Sequence, residues 1–237
     1  MFPIYDIHSH VLFNLDDGAI NLDTSIEMLS LMIKQGVTDV FCTSHDGFYQ
    51  DEYDSRFITL EKRVAELGLA INLHKGCEIY CECNYVDEII GGIKDGSLSP
   101  LGNSNHYLIE FSPYESKDNI LKSVKRIIDR TGINVIIAHV ERCFNLATDM
   151  HAVRVLEDYG AKFQVNAYSF AEETNTLIRT FALALLNAKL VYFIGSDAHR
   201  ITHRPPQLTQ GVNLILSKCD EDYAKDILFR NAQKYLF

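Results

Sequence analysis

Short apolar runs recur along the 237-residue chain, at Pro3–Ile7, Val37–Thr43, Ala70–Lys75, Tyr107–Phe111, Asn134–Ala138, Lys162–Val165 and Leu190–Ile194. They are rich in Val, Ile, Phe and Tyr and do not alternate cleanly with polar residues, as expected of parallel strands covered on both faces. Between them the apolar period changes. Leu22, Ile26, Leu29 and Ile33 fall four, three and four residues apart, which predicts an amphipathic helix with Asn21 or Asp23 as N-cap and Gly36 as its stop. Further helices are predicted near Ser55–Leu67, Val86–Lys94, Lys117–Arg130, Asp149–Tyr159, Glu173–Asn187, Gln207–Ser217 and Asp220–Phe229. Strand-helix alternation of this kind builds βαβ units. Seven strands suit an α/β fold of the (β/α)7 barrel type, one unit short of the common eightfold form; an open doubly wound sheet is the alternative. No linker-like tract or long repeat interrupts the alternation, so one domain over residues 1–237 is expected.

The polar residues add chemistry to this pattern. Six of the seven predicted strands end in, or run straight into, a residue type that binds metals: Asp6-Ile7-His8-Ser9-His10, Thr43-Ser44-His45, Gly76-Cys77-Glu78, Ile109-Glu110-Phe111, Ala138-His139-Val140-Glu141-Arg142 and Gly195-Ser196-Asp197-Ala198-His199. In a parallel barrel those ends meet on one face, where active sites sit. His8 and His10 are two apart, so on a strand they share a side and can grip one cation. One His-x-His pair is a weak signal, but Asp197-x-His199 repeats the spacing. Together with His45, Glu78, Glu110 and His139, the set predicts a His/carboxylate metal site. Asp17, in Asp16-Asp17-Gly18, reads on its own as an Asp-Gly turn, and its closeness to the His pair makes a ligand role credible.

The formal charge of −10 argues against nonspecific nucleic-acid binding and leaves the metal ions to reverse the local sign for an anionic substrate. Asp17, Glu78, Glu110 and Asp197 contribute −4. Three divalent cations contribute +6, and the sum of +2 suits a dianionic phosphate. Arg142 and Arg204, beside ligand segments, are candidates to clamp its oxygens. No apolar run is long enough to span a membrane and no secretory pattern opens the chain, so a cytoplasmic location is expected. None of the six cysteines begins a C-x5-R motif, which leaves a cysteine phosphatase mechanism unsupported. Cys81-Glu82-Cys83 is spaced too closely for a usual zinc pair and reads as ordinary thiols.

Taken in order, DIHSH, DDG, TSH, GCEIY, LIEF, AHVER and SDAH followed by RPP resemble the PHP (polymerase and histidinol phosphatase) family, over residues 4 to about 206. DIHSHVLFNLDDG and the LIEF and AHVER pair are most similar to its bacterial protein-tyrosine phosphatases of capsular and exopolysaccharide synthesis. The resemblance implies a distorted (β/α)7 barrel holding two or three divalent cations, manganese foremost, with iron or zinc as alternatives. It assigns His8, His10, Glu78 and Asp197 to a first metal. Glu78, Glu110 and His139 fall to a second, and Asp17, His45 and His199 to a third. It makes Arg142 and Arg204 phosphate-binding residues, and Asp197 or His199 the carrier of a proton to the leaving group. The implied reaction is metal-assisted hydrolysis without a phosphoenzyme. The implied partner is a phosphotyrosine protein, namely a bacterial tyrosine kinase with a tyrosine-rich tail. A small-molecule phosphatase, such as one acting on histidinol phosphate, is the runner-up. A noncatalytic PHP module is disfavoured, because such modules typically lose ligands and all nine positions are filled here. The family often has a basic residue after TSH; Asp46-Gly47 stands there instead.

Overall fold

The computed structural model describes residues 2–47 and 50–237. Its strands are β1 (Ile4–Ser9), β2 (Val37–Cys42), β3 (Asn72–Lys75), β4 (Glu78–Cys81), β5 (His106–Phe111), β6 (Asn134–Ile137), β7 (Lys162–Asn166) and β8 (Phe193–Gly195), and every pairing between them is parallel. They form a three-stranded sheet, β1-β2-β3, and a five-stranded sheet, β4-β5-β6-β7-β8. Single bridges, His45 to Glu78 and Ser9 to Ala198, link the two sheets at both seams. At the second seam Asp197 N–H donates to the His8 carbonyl at 2.8 Å, and His10 N–H to the Ala198 carbonyl at 2.9 Å.

The helices are α1 (Leu22–Lys34), α2 (Gln50–Glu66), α3 (Val86–Asp95), α4 (Lys117–Thr131), α5 (Phe144–Ala147), α6 (Met150–Asp158), α7 (Thr176–Asn187) and α8 (Thr209–Lys218). A last segment runs through α9 (Glu221–Lys225), a π turn (Asp226–Arg230) and α10 (Asn231–Tyr235) where one uninterrupted helix was expected. Asn21, not Asp23, caps α1 by accepting from Thr24 N–H. This satisfies one of the orphan donors of the first turn, a contribution of about 1 kcal/mol. α2 starts at Gln50, ahead of the predicted Ser55.

The third predicted strand, Ala70–Lys75, contains β3, and the unpredicted β4 (Glu78–Cys81) follows it as an eighth strand segment. At Gly76 a Cβ would lie 2.7 Å from Leu101 and 3.1 Å from Thr43. The Gly76 N–H turns to the Tyr53 hydroxyl at 3.0 Å. β3 therefore completes the first sheet, and Glu78 opens the second instead of trailing a strand.

Burial divides into two cores. On β5 and β6, Tyr107, Ile109, Val135 and Ile137 join the large core beneath the helices. The alternating residues Leu108 and Ile136 pack with Ile7, Phe41, Leu101, Ala138, Phe193, Ala232 and Leu236 in a smaller core inside the ring. The C-terminal segment closes that inner core at the start of the strands, where Tyr235 lies 5.5 Å from His106, the first residue of β5. The opposite, C-terminal end is left for polar groups. Among the described residues no helix is long and apolar enough to cross a membrane.

Candidate metal centre

Each predicted ligand reaches the C-terminal end of the ring from its own element. His8 lies in β1, His10 and Asp17 in the loop after it, and His45 just beyond β2. Glu78 opens β4, Glu110 is in β5, His139 follows β6, and Asp197 and His199 follow β8. β1 slips register against β2 between Asp6 and Ser9, an irregularity of the kind that re-aims side chains near sites. His139, Asp197 and Arg204 hold left-handed backbone at φ 27°, 51° and 54°. That conformation costs a non-glycine residue roughly 1–2 kcal/mol, and strain of this kind collects at functional sites.

The donor atoms fall into interlocking groups: His8, His10, Glu78 and Asp197; His10, Asp17, His45 and His199; His45, Glu78 and Glu110. His139 joins them, with Nε2 3.0 Å from Glu78 Oε1 and 3.4 Å from Glu110 Oε1. In the first group His8 and His10 Nε2 lie 3.4 Å apart, each 3.1 Å from Glu78 Oε2 and 3.6 Å from Asp197 Oδ1. Ligands about 2.1 Å from one cation stand ~3.4 Å apart at the tetrahedral angle, so these spacings fit a shared ion. Asp197 Oδ1 is buried and has no hydrogen-bond partner, as fits an atom reserved for a cation. The second group opens outward: His199 is buried, His45 is 34% exposed and Asp17 61% exposed at the side chain. Asp17 Oδ1 lies 3.2 Å from His199 and 3.7 Å from His45.

The electrostatics are tightly balanced. Burial pushes the Glu78 carboxyl up, but His8, His10 and His139 overcome this and hold it well below its usual range. Asp197 is likewise held low against burial, by His8, Arg142 and His139. Burial, then the neighbouring positive charges of His10 and Arg204, push His199 down to about 4. Burial and the nearby Glu78 raise Glu110.

Arg142, at the end of the turn Val140–Arg142, donates to Asp197 Oδ2 at 2.7 Å. Arg204 donates to the same oxygen and lies 2.8 Å from His199 Nε2. Both guanidinium groups border a cleft of about 310 Å³ that also includes Tyr168, Ser169 and Pro205.

Several contributors escaped the sequence reading. Asp16 is one: its Oδ2 accepts from His10 Nδ1 at 2.8 Å and from His45 N–H at 3.0 Å, and its Oδ1 accepts from Gly18 N–H at 2.9 Å. This holds His10 with Nε2 toward Glu78, as a carboxylate behind a ligand histidine does. The signal in the sequence is the adjacent pair Asp16-Asp17. Asp6 bridges the β1 and β8 ends through His8 N–H at 3.2 Å and Ser196 N–H at 2.8 Å. Glu141, two residues after His139, is buried and braces Asn166 N–H and the Ser169 hydroxyl. The cysteines are free thiols, and none belongs to a donor group.

The chain is similar to known proteins in sequence and in fold. Tyrosine-protein phosphatase CpsB of Streptococcus pneumoniae is 29% identical over 241 residues, covering 98% of this chain and 97% of that protein. The putative tyrosine-protein phosphatase CapC of Staphylococcus aureus is 32% identical over 219 residues, covering 88% and 82%. A solved structure from work on YwqE of Bacillus subtilis and CpsB of S. pneumoniae, described as unique metal-dependent tyrosine phosphatases, superposes with a TM-score of 0.84 at 23% identity, covering 96% and 95%. The family profile for capsular polysaccharide synthesis, CpsB/CapC, matches residues 4–237. With β/α units in this order and these motifs at their ends, the chain belongs to the CpsB/CapC family.

Proposed function

We propose that this chain is a metal-dependent phosphomonoesterase that removes phosphate from tyrosine residues of proteins. One observation carries the reading: eight His and carboxylate side chains converge in interlocking donor groups, with His139 against Glu78 and Glu110, beside two arginines and an open cleft. The relatives' shared description as tyrosine phosphatases supports the substrate class.

In this reading His8, His10, Glu78 and Asp197 hold a first cation. Glu78, Glu110 and His139 hold a second, and Asp17, His45 and His199 a third. Manganese is the proposed ion, with iron or zinc able to take its place. When bound, divalent cations supply Lewis acidity and bring the pKa of a water down toward neutrality. The protein does the rest. Its ligands fix where charge is concentrated, and the inner core beneath them closes the opposite end of the ring. Arg142 and Arg204, about one-third exposed, can exchange Asp197 Oδ2 for phosphate oxygens and so offer planar pairs of N–H donors to the transferring group. Asp197 or His199 is the proposed carrier of a proton to the leaving phenolate, whose conjugate-acid pKa of about 10 asks for only modest help. Both side chains lie against Arg204, which donates to Asp197 Oδ2 and meets His199 Nε2.

The proposed partner is a cytoplasmic tyrosine kinase tail that regulates capsular or exopolysaccharide synthesis. The test is phosphate release from a phosphotyrosine peptide with manganese, after EDTA, and by His8→Ala. Release that requires both the metal and His8 supports the reading. Faster turnover of histidinol phosphate than of the peptide would favour a small-molecule phosphatase. No release of phosphate from either substrate would end the reading.

A further inference from the structure

β7 is the strand whose sequence offered no ligand, yet it sends Gln164 and Asn166 to the base of the centre. Gln164 is fully buried and Asn166 is 2% exposed. A buried amide must find partners or cost free energy, and here the partners leave each amide one orientation. The His139 backbone N–H can only donate, and it meets Gln164 Oε1 at 2.7 Å. The oxygen of Gln164 therefore faces that side and its NH2 the other. The same oxygen lies 3.1 Å from His8 Nδ1, so that nitrogen must carry the hydrogen. His8 Nε2 is left with its lone pair toward Glu78 Oε2 and Asp197 Oδ1.

The chain of constraint continues. Gln164 Nε2 donates to Asn166 Oδ1 at 2.8 Å, which turns the Asn166 NH2 onto Asp197 Oδ2 at 3.0 Å. Asp197 Oδ2 thus receives Asn166, Arg142 and Arg204, while Oδ1 stays unpartnered among the donor atoms. A Cβ on Gly195 would lie 2.8 Å from Gln164 Nε2, so the glycine leaves room for this amide.

We propose that Gln164 is a positioning residue of the metal centre. Its carbonyl end fixes the Nδ1–H tautomer of His8, and its NH2 end, relayed through Asn166, aims Asp197 Oδ1 at the same ion. The inference rests on the reading that His8 and Asp197 share a cation. The two ends of the group are then set by one amide, whereas His10 is set separately by the Asp16 carboxylate. An amide does this without adding another negative charge to those of Asp17, Glu78, Glu110, Asp197 and Asp16.

Two measurements test it. The first is calorimetric titration of manganese into wild type, Gln164→Met and Gln164→Glu. Gln164→Met, which loses both ends, is expected to bind manganese about 10–100-fold more weakly. Gln164→Glu keeps the acceptor for His8 and is expected to recover much of that loss. The second needs no variant at position 164. Imidazole 15N spectra of the zinc-loaded wild type, with His8 assigned by its absence in His8→Ala, should show its hydrogen on Nδ1. A hydrogen on Nε2, or manganese affinity unchanged in Gln164→Met, overturns the proposal. Wild type that binds neither metal sinks the shared-cation reading and this inference with it, an outcome distinct from unchanged affinity in the variant.

Discussion

Gly195→Ala adds one methyl group at a crowded point behind the centre. The new Cβ would stand 2.6 Å from His8 Cβ and 2.8 Å from Gln164 Nε2. Carbon atoms in contact normally sit about 3.5–4.0 Å apart, so one neighbour must yield by ~1 Å. Both neighbours are fully buried, in β1 and β7, and neither is the loose end of a surface side chain. Overpacking of this sort costs about 1–3 kcal/mol. At roughly 2–4 °C per kcal/mol for a chain of this size, the melting temperature should fall by about 2–12 °C. The cost is steric alone, since the Gly195 backbone is not left-handed. A ~1 Å shift of His8 should also weaken manganese binding by about 10–100-fold. Gly91→Ala is the matched control: it lies within α3 and has nothing within 4 Å of a built Cβ. It should gain about 0.5–1 kcal/mol from lower backbone entropy in the unfolded chain. Melting is followed in EDTA, so that stability and metal binding separate, and affinity is then measured by calorimetry. A Gly195→Ala protein that melts with wild type and binds manganese equally would refute the claim that close packing of β8 positions His8.

Other outcomes follow from groups around the ring. Burial, then the neighbouring Lys162, pushes His106 down to about 4, against an ordinary value of 6.5. The folded state therefore prefers the neutral ring, so its contribution to stability is complete above pH 6.5 and is lost as pH falls toward 4. His106→Phe should flatten melting temperature against pH in that window, and parallel curves for variant and wild type would contradict the assignment. Asp16→Ala removes the acceptor behind His10 together with the anchors of the His45 and Gly18 N–H groups. Manganese affinity should drop about 10–100-fold, and an unchanged titration would show that His10 needs no such support.

The strand-end rule made most of the centre legible, because ligand types stood where a parallel ring brings its ends together. What it could not show was pairing. Gly76 follows β3 where a Cβ would meet Leu101 and Thr43, and nothing in the sequence pattern announces the further strand that begins at Glu78. Asp16 and Asp17 are chemically identical in the sequence. Their different tasks come from a turn that buries one against His10 and leaves the other at the rim. Gln164 and Asn166 carry no charge and no metal-binding signature. Their place becomes visible only once the His139 N–H and the Asp197 carboxylate are seen on either side of them. The helix periods, by contrast, are local, and position alone narrowed the cap of α1 to Asn21 or Asp23, of which the structure uses Asn21.

The seam between β1 and β8 bears on how the enzyme comes into being. Asp6 and Ser196, hydrogen-bonded across it, are 190 residues apart in the chain. His8 and His10 leave the ribosome early, while Asp197 and His199 arrive only with the last strand. A nascent chain that has emerged as far as β7 owns the histidines and Glu78 but lacks the carboxylate that completes the first donor group. Contacts so distant in sequence form late. Binding at that group would thus be a property of the finished ring, and an unfinished chain would have little means of capturing the ion.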